Sequence, residues 1–140
     1  MCPDVDPADL TTAGSGRPLL IVDAANVVGS VPDGWWRDRR GATERLRDRL
    51  AAVAITGLDA VSGPVSLLLV VEGRARGVAG TADVAVLDAP GSGDDAIVAA
   101  VAAEPGRRRI VVTADRELRR RVAALGAESI GPSALPRGTE

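Results

Sequence analysis

The sequence predicts an α/β domain built on a mostly parallel sheet, and three observations predict it. Short runs that are apolar throughout, such as PLLIV at residues 18–22 and VSLLLVV at 65–71, read as strands buried on both faces. Stretches of helical period alternate with these runs, which is the pattern of strands linked by crossover helices. At 140 residues, with no internal repeat, the chain has the size of one domain.

The elements follow in order. Residues 1–17 are rich in Pro, Asp, Thr, Gly and Ser and read as a flexible tail. The first strand, 18–22, stops at Asp23. A turn, VPDG, occupies 31–34, and a helix runs from Trp35 to about Ile55, with Ala42, Leu46, Leu50 and Val53 on one face. The Gly63-Pro64 turn precedes the second strand, 65–71, and 83–87 reads as the third. A loop, APGSG, leads to a short helix at 94–103, which Pro105-Gly106 breaks. The fourth strand is 109–113, a helix covers 116–125 up to Gly126, and 128–130 reads as a last short strand. The folded domain is thus expected over 18–135, with a C-terminal tail at 136–140.

Composition restricts the chemistry. All 17 basic residues are Arg; the chain has no Lys, His, Tyr or Phe and one cysteine, Cys2. A Ser-His-Asp triad, a His-ligated zinc site, a Schiff base, a Lys-bearing P-loop and a disulfide framework are all excluded. Asp, Glu, Arg, hydroxyls and a bound hard cation remain. The net charge of −2 means that any nucleic-acid contact comes from local Arg clusters. No apolar run approaches the roughly 18–20 residues of a membrane span, so no membrane association is expected. The start MCPDVDPADL is unlike a secretory signal, and a cytoplasmic location is expected.

The acids fall in a pattern. Parallel sheets build their sites outside the carboxyl ends of the strands. Asp23, Glu72, Asp88 and Asp115 each follow one of the four main strands, and Asp94 and Asp95 open a helix on that same side. Repulsion makes such a group costly unless a cation neutralises it, and Mg²⁺ or Mn²⁺ suits carboxylate oxygens. Helix phase puts Asp94 with Ile97, Val98 and Val101, leaning to the strand ends, and Asp95 to one side. Plainer roles compete: Asp115 as a helix cap, Asp94 and Asp95 as partners of the helix dipole, Asn26 as a turn residue, Glu72 and Asp88 as loop-edge acids. Asp23 is harder to dismiss, since an acid closing a buried strand needs a partner.

Three segments carry a resemblance: LLIVDAANVVGS (19–30) with its Asp-x-x-Asn, GDDAIVAAV (93–101), and IVVTADRELRRRVAALGA (110–127) with its Thr-x-Asp. Together they resemble the NYN domains of the PIN-like nuclease superfamily, those of the YacP-like branch in particular. The resemblance implies a three-layer, Rossmann-like PIN-like domain and metal-dependent, endonucleolytic cleavage of RNA with Mg²⁺ or Mn²⁺. Asp23, Asp94 and Asp115 match the acidic metal-binding set and Asn26 its polar neighbour. Asp95 is a second candidate. Glu72 stands where the branch has an Asp, with a longer arm, and Ser133 matches a serine near the domain end. A cation can activate water and stabilise phosphate charge, so phosphodiester hydrolysis needs no His.

Arg37, Arg39, Arg40, Arg74, Arg76 and Arg116 lie towards the acidic edge. Of these, Arg39, Arg40, Arg74, Arg76 and Arg116 are the candidates to hold RNA phosphates. Arg107, Arg108 and Arg109 belong to the opposite edge. The remaining arginines read as a solvated, ion-paired helix face, with Arg45 and Arg49 beside Glu44 and Asp48. Trp35 and Trp36 stack on a base or serve as a packing lid. RNA is the expected partner, and a homodimer is left open. The rival reading is an RNA-binding or regulatory PIN-like module without turnover. A haloacid-dehalogenase phosphatase wants Asp-x-Asp where this chain has Asp23-Ala24-Ala25, a receiver domain wants a Lys, and a dinucleotide site wants Gly-x-Gly-x-x-Gly where VDAANVVG stands.

Overall fold

A computed structural model describes residues 17–29 and 38–136, except for the side chain of Arg74. The expected tail up to residue 16 with Cys2, the turn at 31–34, Trp35, Trp36, Arg37 and residues 137–140 lie outside the described residues.

In chain order the elements are β1 (Leu19–Asp23), α1 (Ala24–Gly29), α2 (Arg39–Thr56), β2 (Gly57–Leu58), β3 (Val61–Ser62), β4 (Ser66–Val71), β5 (Val84–Asp88), α3 (Gly93–Ala102), β6 (Arg109–Val112), α4 (Arg116–Ala123) and β7 (Glu128–Ile130). The main sheet has five strands in the order β5-β4-β1-β6-β7, and every neighbouring pair is parallel. The chain builds outwards from β1 in one direction through β4 and β5, then in the other through β6 and β7. The strand order therefore reverses beside β1, the switch point where sheets of this kind carry their ligands.

Every residue of β1 is buried, because helices cover both faces of the sheet. Leu20 and Val22 pack with Ala24 and Val27 of α1 and Leu46, Leu50 and Val53 of α2. Leu19 and Ile21 point the other way, onto Ile97 and Val101 of α3 and Leu118 and Val122 of α4. Helices, sheet and helices thus form three layers, and the apolar face expected of the first long helix is the buried one. Among the described residues no helix is long and apolar enough to cross a membrane.

Several expectations are corrected. β1 continues through Asp23, which pairs with Val70, so the acid belongs to the strand. The six-residue α1 follows at once, because the Asp23 carboxylate accepts the Asn26 N–H at 3.3 Å and starts a helical turn. The described part of α2 begins at Arg39, where the Asp38 side chain accepts the Gly41 N–H at 2.9 Å. A small hairpin, β2–β3, occupies the stretch before Gly63-Pro64 for which the sequence predicts no element. It needs Gly57, whose φ of 75° and whose contact with the backbone of Val61 and Gly63 leave no room for a side chain. β6 ends at Val112 and α4 at Ala123, each short of its expected end.

Arg109 ties the carboxyl ends of α3 and α4 to the start of β6. It is 5% exposed, and its guanidinium donates to Val101 O at 2.8 Å, Leu125 O at 2.9 Å and Arg107 O at 2.9 Å. One buried cation thereby satisfies carbonyls at the carboxyl ends of both helices, where positive charge is favourable. Because both helices connect parallel strands, their N-termini face the opposite edge of the sheet, where the acids are. Arg107 and Arg108 lie with Arg109, on Ser66 and Glu128, as expected for that edge.

Candidate active site at the carboxyl edge of the sheet

Val22 pairs with Val112, so the next residues along, Asp23 and Thr113, come side by side. Asp23 is 7% exposed and Thr113 fully buried. The Thr113 hydroxyl donates to Asp23 Oδ2 at 3.0 Å and accepts the Asp115 N–H at 3.1 Å. Burial pushes the Asp23 carboxyl above its ordinary range. The hydrogen bonds from Thr113 and Asn26 pull it down, and the charges of Asp94 and Glu72 push it up. The Asn26 side-chain oxygen accepts the Ala114 N–H at 2.8 Å, tying α1 to the loop that carries Asp115.

Asp115 caps α4 by accepting the Leu118 N–H at 3.0 Å, so its plainer role is real. Asp94 lies in the first turn of α3, half-buried, with neither hydrogen bond nor ion pair among the described residues. Burial again raises its carboxyl, followed by the charges of Asp115 and Glu72, while Arg121 lowers it. Glu72 Oε1 accepts the N–H of Gly93. A side chain at Gly93 would place its Cβ 2.8 Å from that oxygen, so the Glu72 carboxylate would have to shift. Asp95 is engaged elsewhere, with Oδ1 bound to Arg121 Nη2 at 3.0 Å. Asp88 closes β5 and accepts the Gly77 N–H at 3.3 Å, which anchors a loop.

Asp23, Glu72, Asp94 and Asp115 thus share one edge and act on one another electrostatically. Their oxygens are the kind that Mg²⁺ and Mn²⁺ take. Their spacing is a separate matter: among the described residues no group of three acids is placed so that it could hold a metal ion. Asp23, Glu72 and Asp115 each commit an oxygen to a hydrogen bond within the protein, whereas Asp94 commits none.

The arginines divide. Arg40 lies over Gly77, its guanidinium 3.3 Å from where a Cβ there would stand, and Arg76 donates to Gly73 O at 3.3 Å and Ala89 O at 3.4 Å. Both belong to the loop flank next to Glu72. Arg39 is exposed at the start of α2, and the side chain of Arg74 is outside the described residues. Arg116 is exposed beside Asp115, with no ion-pair partner among the described residues. The ion pairing expected around Arg45 and Arg49 is replaced by Arg47, which binds Asp48 at 2.9 Å and Ala79 O at 2.8 Å. Ser133 is exposed in a 3₁₀ turn, Pro132–Ala134.

Two residues at this edge escape the sequence reading. Thr113 was within reach of it, as the hydroxyl that closes a buried strand beside the strand that Asp23 closes. Arg121 was not, because its position depends on how α3 and α4 pack.

The strand order and the layers define a Rossmann-like α/β domain. The sheet is wholly parallel, with helices on both faces. Among solved structures, a single-residue mutant of Rae1 (YacP) from Bacillus subtilis is similar, with a TM-score of 0.64 at 16% sequence identity. The match covers 84% of this chain and 72% of that one, and at this identity the likeness is one of fold. It falls in the branch that the sequence motifs resemble. No family model matches the chain, and no curated protein does.

Proposed function

We propose that this chain is a ribonuclease that hydrolyses RNA phosphodiester bonds endonucleolytically, with Mg²⁺ or Mn²⁺ held at the carboxyl edge. The observation that carries the reading is Asp23, a carboxylate buried at the end of the central strand and raised further by the charges of Asp94 and Glu72. Keeping ionisable groups together like this costs stability that a bound cation offsets. The likeness in fold to Rae1 (YacP) supports the reading, as does an alphabet with no His or Lys.

Asp23, Asp94 and Asp115 would hold the ion, with Glu72 as a further candidate, whereas Asp95 is turned to Arg121. When bound, the ion supplies an activated water and charge neutralisation at phosphate. Thr113 and Asn26 orient Asp23, and Arg39, Arg40, Arg74, Arg76 and Arg116 hold backbone phosphates on the flanks. The spacing of the acids favours a second reading, an RNA-binding module without turnover.

The test is incubation of single-stranded and structured RNA with Mn²⁺ and the wild type, Asp23→Asn or Asp94→Asn. The wild type is expected to cut and both variants to lose cleavage while still shifting RNA on a gel; EDTA should stop the reaction. RNA that is shifted but left intact by the wild type supports the module. RNA neither cut nor shifted refutes both readings.

A further inference from the structure

We infer that Arg121, held in place by Asp95, receives an RNA phosphate at the acidic edge; this rests on the ribonuclease reading above. The sequence places Arg121 among solvated helix arginines. The structure sets it apart from its neighbours on α4. Arg119 is committed to Thr113 O at 2.9 Å, and Arg120 is bound to Glu117 on the same helix. Arg121 instead reaches across to α3, where Asp95 holds Nη2 at 3.0 Å.

The ion pair is half-exposed on the arginine side and largely exposed on the aspartate side, so it contributes little to stability. Its effect is positional. Asp95 uses one nitrogen of the guanidinium and leaves Nε and Nη1 without partners among the described residues. Each of those donors suits a phosphate oxygen taken singly, since Nε–H and Nη1–H point to different sides of the guanidinium plane. Arg121 is also ion-paired to the residue next to Asp94 in the first turn of α3. A polyanion approaching Asp94 needs positive charge at that point, and Arg121 supplies it. Asp95 then serves as a positioning residue for Arg121, which explains why the second aspartate of the pair is turned aside.

The test uses the full chain and a fluorescent single-stranded RNA, with affinity measured over a salt series in EDTA, and in Mn²⁺ on the Asp23→Asn background. Arg121→Gln should weaken binding several-fold and flatten the slope of log K against log salt by about 0.7, the loss of one phosphate contact on a single strand. Arg120→Gln should bind like the wild type. Asp95→Asn should give a smaller loss than Arg121→Gln and add nothing when combined with it. The inference is overturned if Arg121→Gln keeps the wild-type slope, if Arg120→Gln loses as much, or if Asp95→Asn binds more tightly, since Asp95 would then act only by repulsion. A wild type that fails to bind RNA overturns the ribonuclease reading as well. A wild type that binds beside an unaffected Arg121→Gln overturns this inference alone.

Discussion

Replacing Thr113 with Val removes one hydroxyl and leaves the shape of the side chain nearly unchanged. Thr113 is fully buried, so no water replaces what is lost. Two hydrogen bonds disappear: the one donated to Asp23 at 3.0 Å and the one accepted from the Asp115 N–H at 3.1 Å. A bond to a charged group contributes about 1.5–3 kcal/mol and a neutral one about 0.5–1.5 kcal/mol, so the expected loss at pH 7 is about 3 kcal/mol. The loss also depends on pH. The Asp23 carboxyl is raised above 3.8, chiefly by burial, and the Thr113 bond opposes that rise. A raised carboxyl keeps its proton in the folded state where the unfolded chain has released it. Stability therefore falls as pH climbs from 3.8 through the folded value. Thr113→Val lifts the folded value further and extends the fall, so its penalty grows between pH 4 and pH 7. Urea unfolding at the two pH values measures this, with Thr113→Ser as the control that keeps the hydroxyl. The reasoning is refuted by a loss at pH 7 below about 0.5 kcal/mol, under the range for even one neutral bond, or by a loss that is equal at both pH values.

Asp94→Asn should raise the melting temperature at pH 7, because burial, together with the charges of Asp115 and Glu72, makes ionised Asp94 destabilise the folded state. That gain should vanish below the ordinary value of 3.8, where the carboxyl is protonated in folded and unfolded chains alike. Under the metal reading, Mn²⁺ should stabilise the wild type in the same melts and Asp94→Asn less. Gly93→Ala should cost no more than about 1.5 kcal/mol in chemical denaturation, the worth of one hydrogen bond, since the new Cβ meets only the far end of the flexible Glu72 side chain and turns it from the Gly93 N–H. Arg109→Met should cost roughly 3 kcal/mol or more, because three carbonyls lose their donor at about 1 kcal/mol each at the least. Circular dichroism melts check that, and RNA cleavage should be unaffected at temperatures where the variant stays folded.

Much of the fold was legible because its signals are local. Runs such as LLIV and SLLLVV, short and bounded by turn signals, read as buried strands, and the spacing of Leu46, Leu50 and Val53 marks one helix face. The short α1 and the β2–β3 hairpin were not legible. The first depends on a single carboxylate accepting Asn26 N–H, and the second on a positive φ at Gly57; neither leaves a period in the sequence. In the site, Asp23 stood out because a charge at the end of an apolar strand is costly. The pairing of Asp95 with Arg121 did not, because two residues 26 positions apart meet only through helix packing.

The order of strands and acids along the chain determined more than the fold class. In a parallel sheet every strand ends on the same side, so acids that follow strands must share an edge, whatever the packing details. That much the sequence settled alone. Tertiary structure decided which acids are engaged and by what. It placed Thr113 between Asp23 and Asp115, gave Glu72 to the N–H of Gly93, left Asp94 uncommitted and turned Asp95 to Arg121. The physical reason is one of range. Periodicity and chain direction act along the backbone and can be read from neighbours in sequence, whereas hydrogen bonds and charge pairs act over about 3 Å between side chains whose positions the packing of separate elements fixes.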